Sequence, residues 1–242
     1  MTNLLIVDLE TTGLDPQRHQ PIELGAIFYS VEHACTLQQL STLFPAGQNP
    51  AQAVNHISAD ASCEVLDDCL EMVNLFQQWV ERADYLVAHN AAFDRQWFGQ
   101  KPLPAIAKPW LCTYEDFLWP ENPKPSNLIT TALNHGIGVS QAHRALTDCQ
   151  LIATLFDRVE YHQPGQLAQL VEQAIARSTE LQVYVIAQVS KAEKDLAKQR
   201  GFRWERYLSK KWAKKMRLSD LEQEKADYPF KVQVQEISGG DR

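Results

Sequence analysis

The chain has 242 residues, of which 45% are hydrophobic and 22% charged, and its formal net charge is −7. These values allow a full globular core, exclude collagen-like and low-hydrophobicity disordered classes, and suit one main domain with a small appendage. A negative balance also argues against a protein that coats nucleic acid through a broad basic footprint.

The segment 4–9, LLIVDL, reads as a buried strand closed by the turn formers Gly13, Leu14, Asp15 and Pro16, and 21–30 and 34–44 continue as further strands. Three strands in succession predict an antiparallel meander. Leu66, Leu70, Val73, Phe76, Trp79 and Val80 then recur at helical spacing. A strand over 85–88, a helix over 91–99, a short strand over 110–112, a Pro-rich loop over 120–125 and helices over 127–135 and 143–161 follow. They complete a first domain, 1–176, in which helices pack against one mixed sheet. After Ala176 the pattern restarts: 182–189 alternates as a strand, Ser190 is an N-cap for a helix reaching about Gln199, and 230–237 is a final strand. The expected second domain, 180–242, is a small α+β module near the size at which independent stability becomes marginal. The two parts differ in charge, since residues 1–181 hold 9 Lys+Arg against 21 Asp+Glu and residues 182–242 hold 14 against 9.

No apolar run approaches the ~18 residues of a membrane span, and the opening MTNLLIVDLE has no basic segment or small-residue cleavage site. A soluble, cytoplasmic protein without membrane contact is expected. Cys35, Cys63, Cys69, Cys112 and Cys149 are odd in number and form no C-x-x-C pair, so reduced packing thiols are expected in place of disulfides or a zinc site.

Three short stretches carry chemistry. In Val7-Asp8-Leu9-Glu10-Thr11-Thr12-Gly13, the two acids stand two residues apart at a strand end, so the strand's period puts both on one face. Paired carboxylates suit hard cations; a strand running into a polar turn, with its acids facing water, would look the same. In Val87-Ala88-His89-Asn90-Ala91-Ala92-Phe93-Asp94, a strand ends at His89-Asn90 and Asp94 falls about one turn into the following helix. An acid there also favours a helix N-terminus by ~0.3–1 kcal/mol without binding anything. In Ala142-His143-Arg144-Ala145-Leu146-Thr147-Asp148-Cys149, Asp148 lies on a helix and His143 reaches over its first turn from the preceding loop. A solvated or capping histidine is the plainer alternative.

Together, Asp-x-Glu at a strand end, Asp at a strand-to-helix junction and His-x4-Asp at a helix start resemble the DEDDh exonucleases. This RNase H-like family includes RNase T, exonuclease X and the proofreading subunit of bacterial replicative polymerase. The resemblance covers residues 3–160, and VAHNAAFDRQ, WLCT followed by LWP and SNL, and HRALTDC bring it nearest to the exonuclease X type. It implies a five-stranded mixed sheet, three strands antiparallel and two parallel, flanked by helices. It further implies that Asp8, Glu10, Asp94 and Asp148 hold two divalent ions ~3.5–4 Å apart, Mg²⁺ in the cell with Mn²⁺ able to substitute. His143 would take a proton from the attacking water, a role suited to imidazole near neutral pH. The implied activity is 3′–5′ release of nucleoside 5′-monophosphates from DNA, with single-stranded 3′ ends as substrate, in repair or end trimming. RNA or oligonucleotide substrates, polymerase proofreading and a catalytically silent adaptor are the alternatives.

On the same resemblance Thr11, Thr12, Gly13 and Leu14 would line the terminal nucleotide's pocket, with Gly13 allowing close backbone approach; a simple strand-to-turn exit is the plainer alternative. His56 and Ile57, in Val54-Asn55-His56-Ile57-Ser58, would lie against that nucleotide. Phe93 joins these contacts, as do His89 and Asn90, whose plainer readings are a packed histidine and a helix cap. Glu23, in an apolar strand beside Gly25, receives a supporting role, and His33 and His135 are expected at the surface. In the C-terminal module the segment 198–212 resembles a small accessory module attached to various bacterial proteins. Residues 188–217 hold 11 Lys+Arg against 3 Asp+Glu, interleaved with Phe202, Trp204, Tyr207 and Trp212. Basic groups beside aromatic faces suit single strands; a solvated basic face over a tiny aromatic core is the alternative.

Overall fold

The computed structural model describes residues 2–65, 68–121, 125–140 and 143–237. Leu66, residues 122–124 of the Pro-rich loop, Ala142 and residues 238–242 lie outside the described residues. The chain divides into two compact units, Met1–Ser178 and Thr179–Arg242.

In the first unit, β1 (Asn3–Thr11), β2 (Pro21–Ser30) and β3 (Cys35–Leu43) form the antiparallel meander. The short helices α1 (Gln52–Asn55) and α2 (Ala59–Ser62) lead to α3 (Asp68–Arg82), β4 (Tyr85–Ala88), α4 (Ala91–Arg95) and β5 (Trp110–Cys112). Then come α5 (Leu128–Asn134), α6 (Ala145–His162) and α7 (Gln166–Ser178). The strand order is β3-β2-β1-β4-β5, with β4 parallel to β1 and β5 parallel to β4.

Alternation along β1 decides what each face buries. Leu4 and Ile6 join Ile152, Leu155 and Phe156 of α6 with Leu167 and Leu170 of α7, whereas Leu5, Val7 and Leu9 join Phe76 and Trp79 of α3 with Trp97. Asp8 and Glu10 continue the Leu4–Ile6 side, toward α6.

The short helices α1 and α2 are not among the expected elements, and three longer ones depart from the sequence reading. It assigns no element between Tyr161 and Ala176, where α7 buries Leu167, Leu170, Val171 and Ala174 at helical spacing. The helix expected over 91–99 stops at Arg95, since Gly99 takes φ +91 and donates to Pro104 O, turning the chain away. The helix expected from 143 starts at Ala145, because His143 holds φ +62, outside helical space.

α6 lies close on β2 at Gly25, where a Cβ would sit 2.3 Å from Ala145 C and 2.4 Å from Leu146 N. Both neighbours are backbone, so neither can rotate away. Gly25→Ala is expected to cost about 1–3 kcal/mol by overpacking, read as a lower denaturant midpoint. A midpoint equal to wild type would show that α6 can lift off the strand.

The second unit runs β6 (Gln182–Gln188), α8 (Lys194–Gln199), β7 (Arg203–Trp204), β8 (Trp212–Arg217), α9 (Leu218–Glu224) and β9 (Lys231–Glu236). Its antiparallel sheet has the order β7-β8-β6-β9 over a core of Val183, Val185, Phe202, Met216 and Leu221. Ser190 forms a complete capping box with Glu193, on a 3-10 turn just ahead of α8. The β7–β8 hairpin is missing from the sequence reading because its strands are short and basic, without apolar alternation.

Candidate active site

β1 supplies Asp8 and Glu10 on its α6-facing side. Asp94, on α4, is buried and tied to the same strand, because Leu9 N donates to its Oδ1 at 3.1 Å. Asp148 lies in the first turn of α6, and His143 just precedes that helix. One ligand atom from each of Glu10, His143 and Asp148 lies within 4.8 Å of the others. Asp8 belongs to the same cluster, since the charges of Asp94, Asp148 and Glu10 all act on its carboxyl.

Glu23 explains why α6 begins where it does. Paired with Glu10 in the β1–β2 register, it is 1% exposed and accepts from Ala145 N at 2.9 Å. Arg144 adds a bidentate contact, Nε at 3.0 Å and Nη2 at 2.8 Å. A carboxylate buried in a sheet needs such a cation, and the planar guanidinium matches both oxygens. Arg144 is a site residue that the sequence reading misses; its signal is Glu23 itself, an acid in an apolar strand with no partner nearby in sequence. Cys149 Sγ donates to Gly25 O at 3.4 Å one turn further along. These contacts hold the start of α6 on β2, and with it Asp148 and His143.

The cluster is short of positive charge. Burial, followed by Asp94, Asp148, Glu10 and Glu23, holds the Asp8 carboxyl well above the usual carboxylate range. Burial lifts Asp94 in the same direction, against hydrogen bonds from the Leu9 amide and its own. Glu10 is pushed up to about 8 by burial, then by Asp148 and Glu23, with Arg144 opposing. Burial raises Asp148 too, and His143 opposes it. Oxygen donors that repel one another in the absence of a cation are a fitting donor set for hard divalent ions.

The substrate candidates differ in what they offer. Thr11 Oγ1 donates to Gly13 O at 2.6 Å and Thr12 Oγ1 accepts from Gln20 N at 3.1 Å, so both hydroxyls shape the turn after β1. A Cβ on Gly13 would meet the His19 ring at 2.5 Å, so a side chain there would displace that ring. Leu14 is 80% exposed beside it. His56, with φ +57, is exposed, whereas Ile57 is packed with Ile22 and Ala46. Asn55, missed in sequence, anchors this segment: its Nδ2 donates to Thr11 O at 3.2 Å, and its Oδ1 accepts from Ile57 N at 3.1 Å.

His89 is a packed histidine, its Nδ1 2.9 Å from Thr113 Oγ1 and its ring edge-on to Tyr114; burial lowers its pKa to about 4. Asn90 occupies the cap position of α4, but at φ +65 its side chain makes no cap hydrogen bond. Phe93 packs against Trp97 with ring centroids 6.0 Å apart. His33 is exposed as expected, whereas His135 is buried against Trp119, its Nδ1 2.8 Å from Thr131 O. The pattern 127–135 gives no sign of that burial, because the aromatic partner comes from another segment.

Residues 5–156 match the family model described as exonuclease, that of RNase T. The chain belongs to the exonuclease family. It is of the DEDDh type, a hydrolytic exonuclease acting on nucleic acid, and exonuclease families of this kind use divalent metal ions. Residues 183–235 match a domain of unknown function, DUF8626. DNA polymerase III subunit epsilon of Treponema pallidum (strain Nichols) is 29% identical over 177 residues, 69% of this chain and 80% of that protein. Matches to PolC-type DNA polymerases III span only 11–12% of those proteins. Among solved structures, the nuclease domain of 3′hExo bound to rAMP aligns with a TM-score of 0.54 at 16% identity, over 66% of this chain and 92% of that one. Exonuclease X in complex with 5′ overhanging duplex DNA aligns at 0.49 and 23% identity, over 71% of this chain and 99% of that one. The shared fold is RNase H-like. Among the described residues no helix is long and apolar enough to cross a membrane.

Proposed function

We propose that this exonuclease acts on DNA, removing nucleotides from single-stranded 3′ ends as nucleoside 5′-monophosphates, in repair or end trimming in the cytoplasm. Residues 1–176 form the catalytic domain and residues 180–242 an accessory module in this reading. The observation that carries it is the convergence of Glu10, His143 and Asp148 within 4.8 Å beside Asp8 and Asp94. The DNA substrate is favoured by the likeness to a polymerase III subunit.

Asp8, Glu10, Asp94 and Asp148 would hold two divalent cations, Mg²⁺ in the cell and Mn²⁺ as a substitute. Bound there, such ions stabilise the attacking and leaving oxygens of an in-line displacement at phosphorus. His143 accepts the proton of the attacking water at an imidazole nitrogen, as the new P–O bond forms and the bond to the 3′ oxygen of the preceding nucleotide breaks. Arg144 and Glu23 act indirectly, by keeping the start of α6 in place. Leu14, exposed at the turn after β1, offers the terminal nucleotide an apolar surface.

A time course on 5′-labelled single-stranded DNA, duplex DNA and RNA, with and without Mg²⁺, tests this reading. A ladder shortening by single nucleotides from the 3′ end, fastest on single-stranded DNA and dependent on Mg²⁺, is expected; RNA degraded faster than DNA would overturn the substrate assignment. His143→Ala should stay folded, retain about one hundredth of the rate or less, and show an altered pH–rate profile. An unchanged profile would leave His143 a structural residue.

A further inference from the structure

We propose that the β7–β8 hairpin of the second unit is a docking surface for single-stranded DNA, with Trp204 as a stacking platform and Arg206, Lys210 and Lys211 of the connecting loop as phosphate contacts. The choice of DNA rests on the substrate reading above. Trp204 is 50% exposed, although an indole normally supplies a core with much of its buried area. The hydrophobic cluster of this unit holds Phe202 and, at its margin, Trp212, and closes without Trp204. Trp204 instead leans on Trp212 at the edge of the sheet, ring centroids 5.9 Å apart. A base can therefore reach one side of an indole already braced on the other.

The three cations are exposed, and among the described residues none of them is ion-paired. Arg206 lies over the Tyr207 ring at 5.6 Å, which leaves its guanidinium edge free for an anion. Glu205, the acid in this stretch, is engaged in the turn, where its Oε1 accepts from Lys210 N at 3.1 Å while Glu205 N donates to Lys211 O at 3.0 Å. Glu205 and Lys210 both take left-handed backbone, φ +53 and +54, a conformation that non-glycine residues keep only where neighbouring contacts impose it. The cationic loop is thus held in one shape, which lowers the ordering cost of binding.

Phosphates beside unstacked bases are what this combination of groups recognises, and only a single strand offers both. The need for such a surface is electrostatic, since residues 1–181 carry a formal −12 that repels a polyanion away from the metal site. A basic surface on the same chain raises the local concentration of the strand without taking part in bond breaking.

The test uses the full chain in EDTA, so that binding is read without hydrolysis, by fluorescence anisotropy of a labelled oligothymidylate of about 20 nucleotides. Trp204→Ala should weaken binding about tenfold and Trp204→Phe much less, as expected for stacking. The double variant Lys210→Ala/Lys211→Ala should reduce the slope of log affinity against log salt by about 1.4. All three should turn over a dinucleotide in Mg²⁺ at the wild-type rate, a measurement that judges the exonuclease reading separately. Should Trp204→Ala fail to fold, the phenylalanine and lysine variants still decide. Wild-type affinity and salt slope in the folded variants would overturn the proposal. So would tighter binding of polyglutamate than of the oligonucleotide, which would give the hairpin to an acidic protein, or binding of oligouridylate in place of oligothymidylate.

Discussion

Asp8→Asn is expected to lower nucleotide release in Mg²⁺ by about a thousandfold or more while the protein stays folded. Asp8 is the acid on which Asp94, Asp148, Glu10 and Glu23 all act, so it sits where a cation would relieve the most repulsion. An amide keeps the shape and removes the charge, which separates loss of metal from loss of packing. Metal-free Asp8→Asn should melt at or above the wild-type temperature, because one repelling charge is gone. Normal turnover by the folded variant would move the chemistry elsewhere in the chain.

In EDTA the wild-type protein should lose stability as pH rises from about 4.5 to about 8, the window set by Glu10. A carboxyl whose pKa rises on folding binds its proton more tightly in the folded state; its contribution is complete below the unfolded value and vanishes above the folded one. At face value the Glu10 shift is worth about 4–5 kcal/mol. Glu10 is partly exposed, and solvent screening brings this to about 2 kcal/mol, or roughly 4–8 °C in Tm for a chain of this size. Asp8 and Asp94, displaced the same way, add to it. Millimolar Mg²⁺ at pH 8 should restore the melting temperature, and Glu10→Gln should flatten the pH dependence in EDTA. A melting temperature that climbs between pH 5 and 8 without metal would show that the four acids are not buried together.

The sheet was legible because each strand announces itself locally. LLIVDL, PIELGAIFYS and YLVA are apolar runs bounded by turn formers, and their order in the chain matches the resemblance to DEDDh exonucleases. The same periodicity puts Asp8 and Glu10 on one side of β1, which is as far as local pattern reaches. What completes the site is long-range. Arg144 meets Glu23 across 121 positions, and Asn55 meets Thr11 across 44, contacts that no spacing rule shows. Left-handed backbone at His143 and Asn90 is equally hidden, because neither is a glycine. His135 departs from the surface position expected of it for the complementary reason: its burial depends on Trp119, supplied from another segment.

Because side chains alternate along β1, a slip of one residue against β2 would turn Leu5, Val7 and Leu9 toward α6 and press Asp8 and Glu10 among Phe76, Trp79 and Trp97. Two carboxylates among aromatic rings without a cation would cost several kcal/mol, so the shifted pairing is rejected as the chain folds. The acids that would cut DNA therefore also police the alignment of the central strand. A variant with leucine at both positions 8 and 10 would lose its chemistry and gain a second way to assemble its sheet.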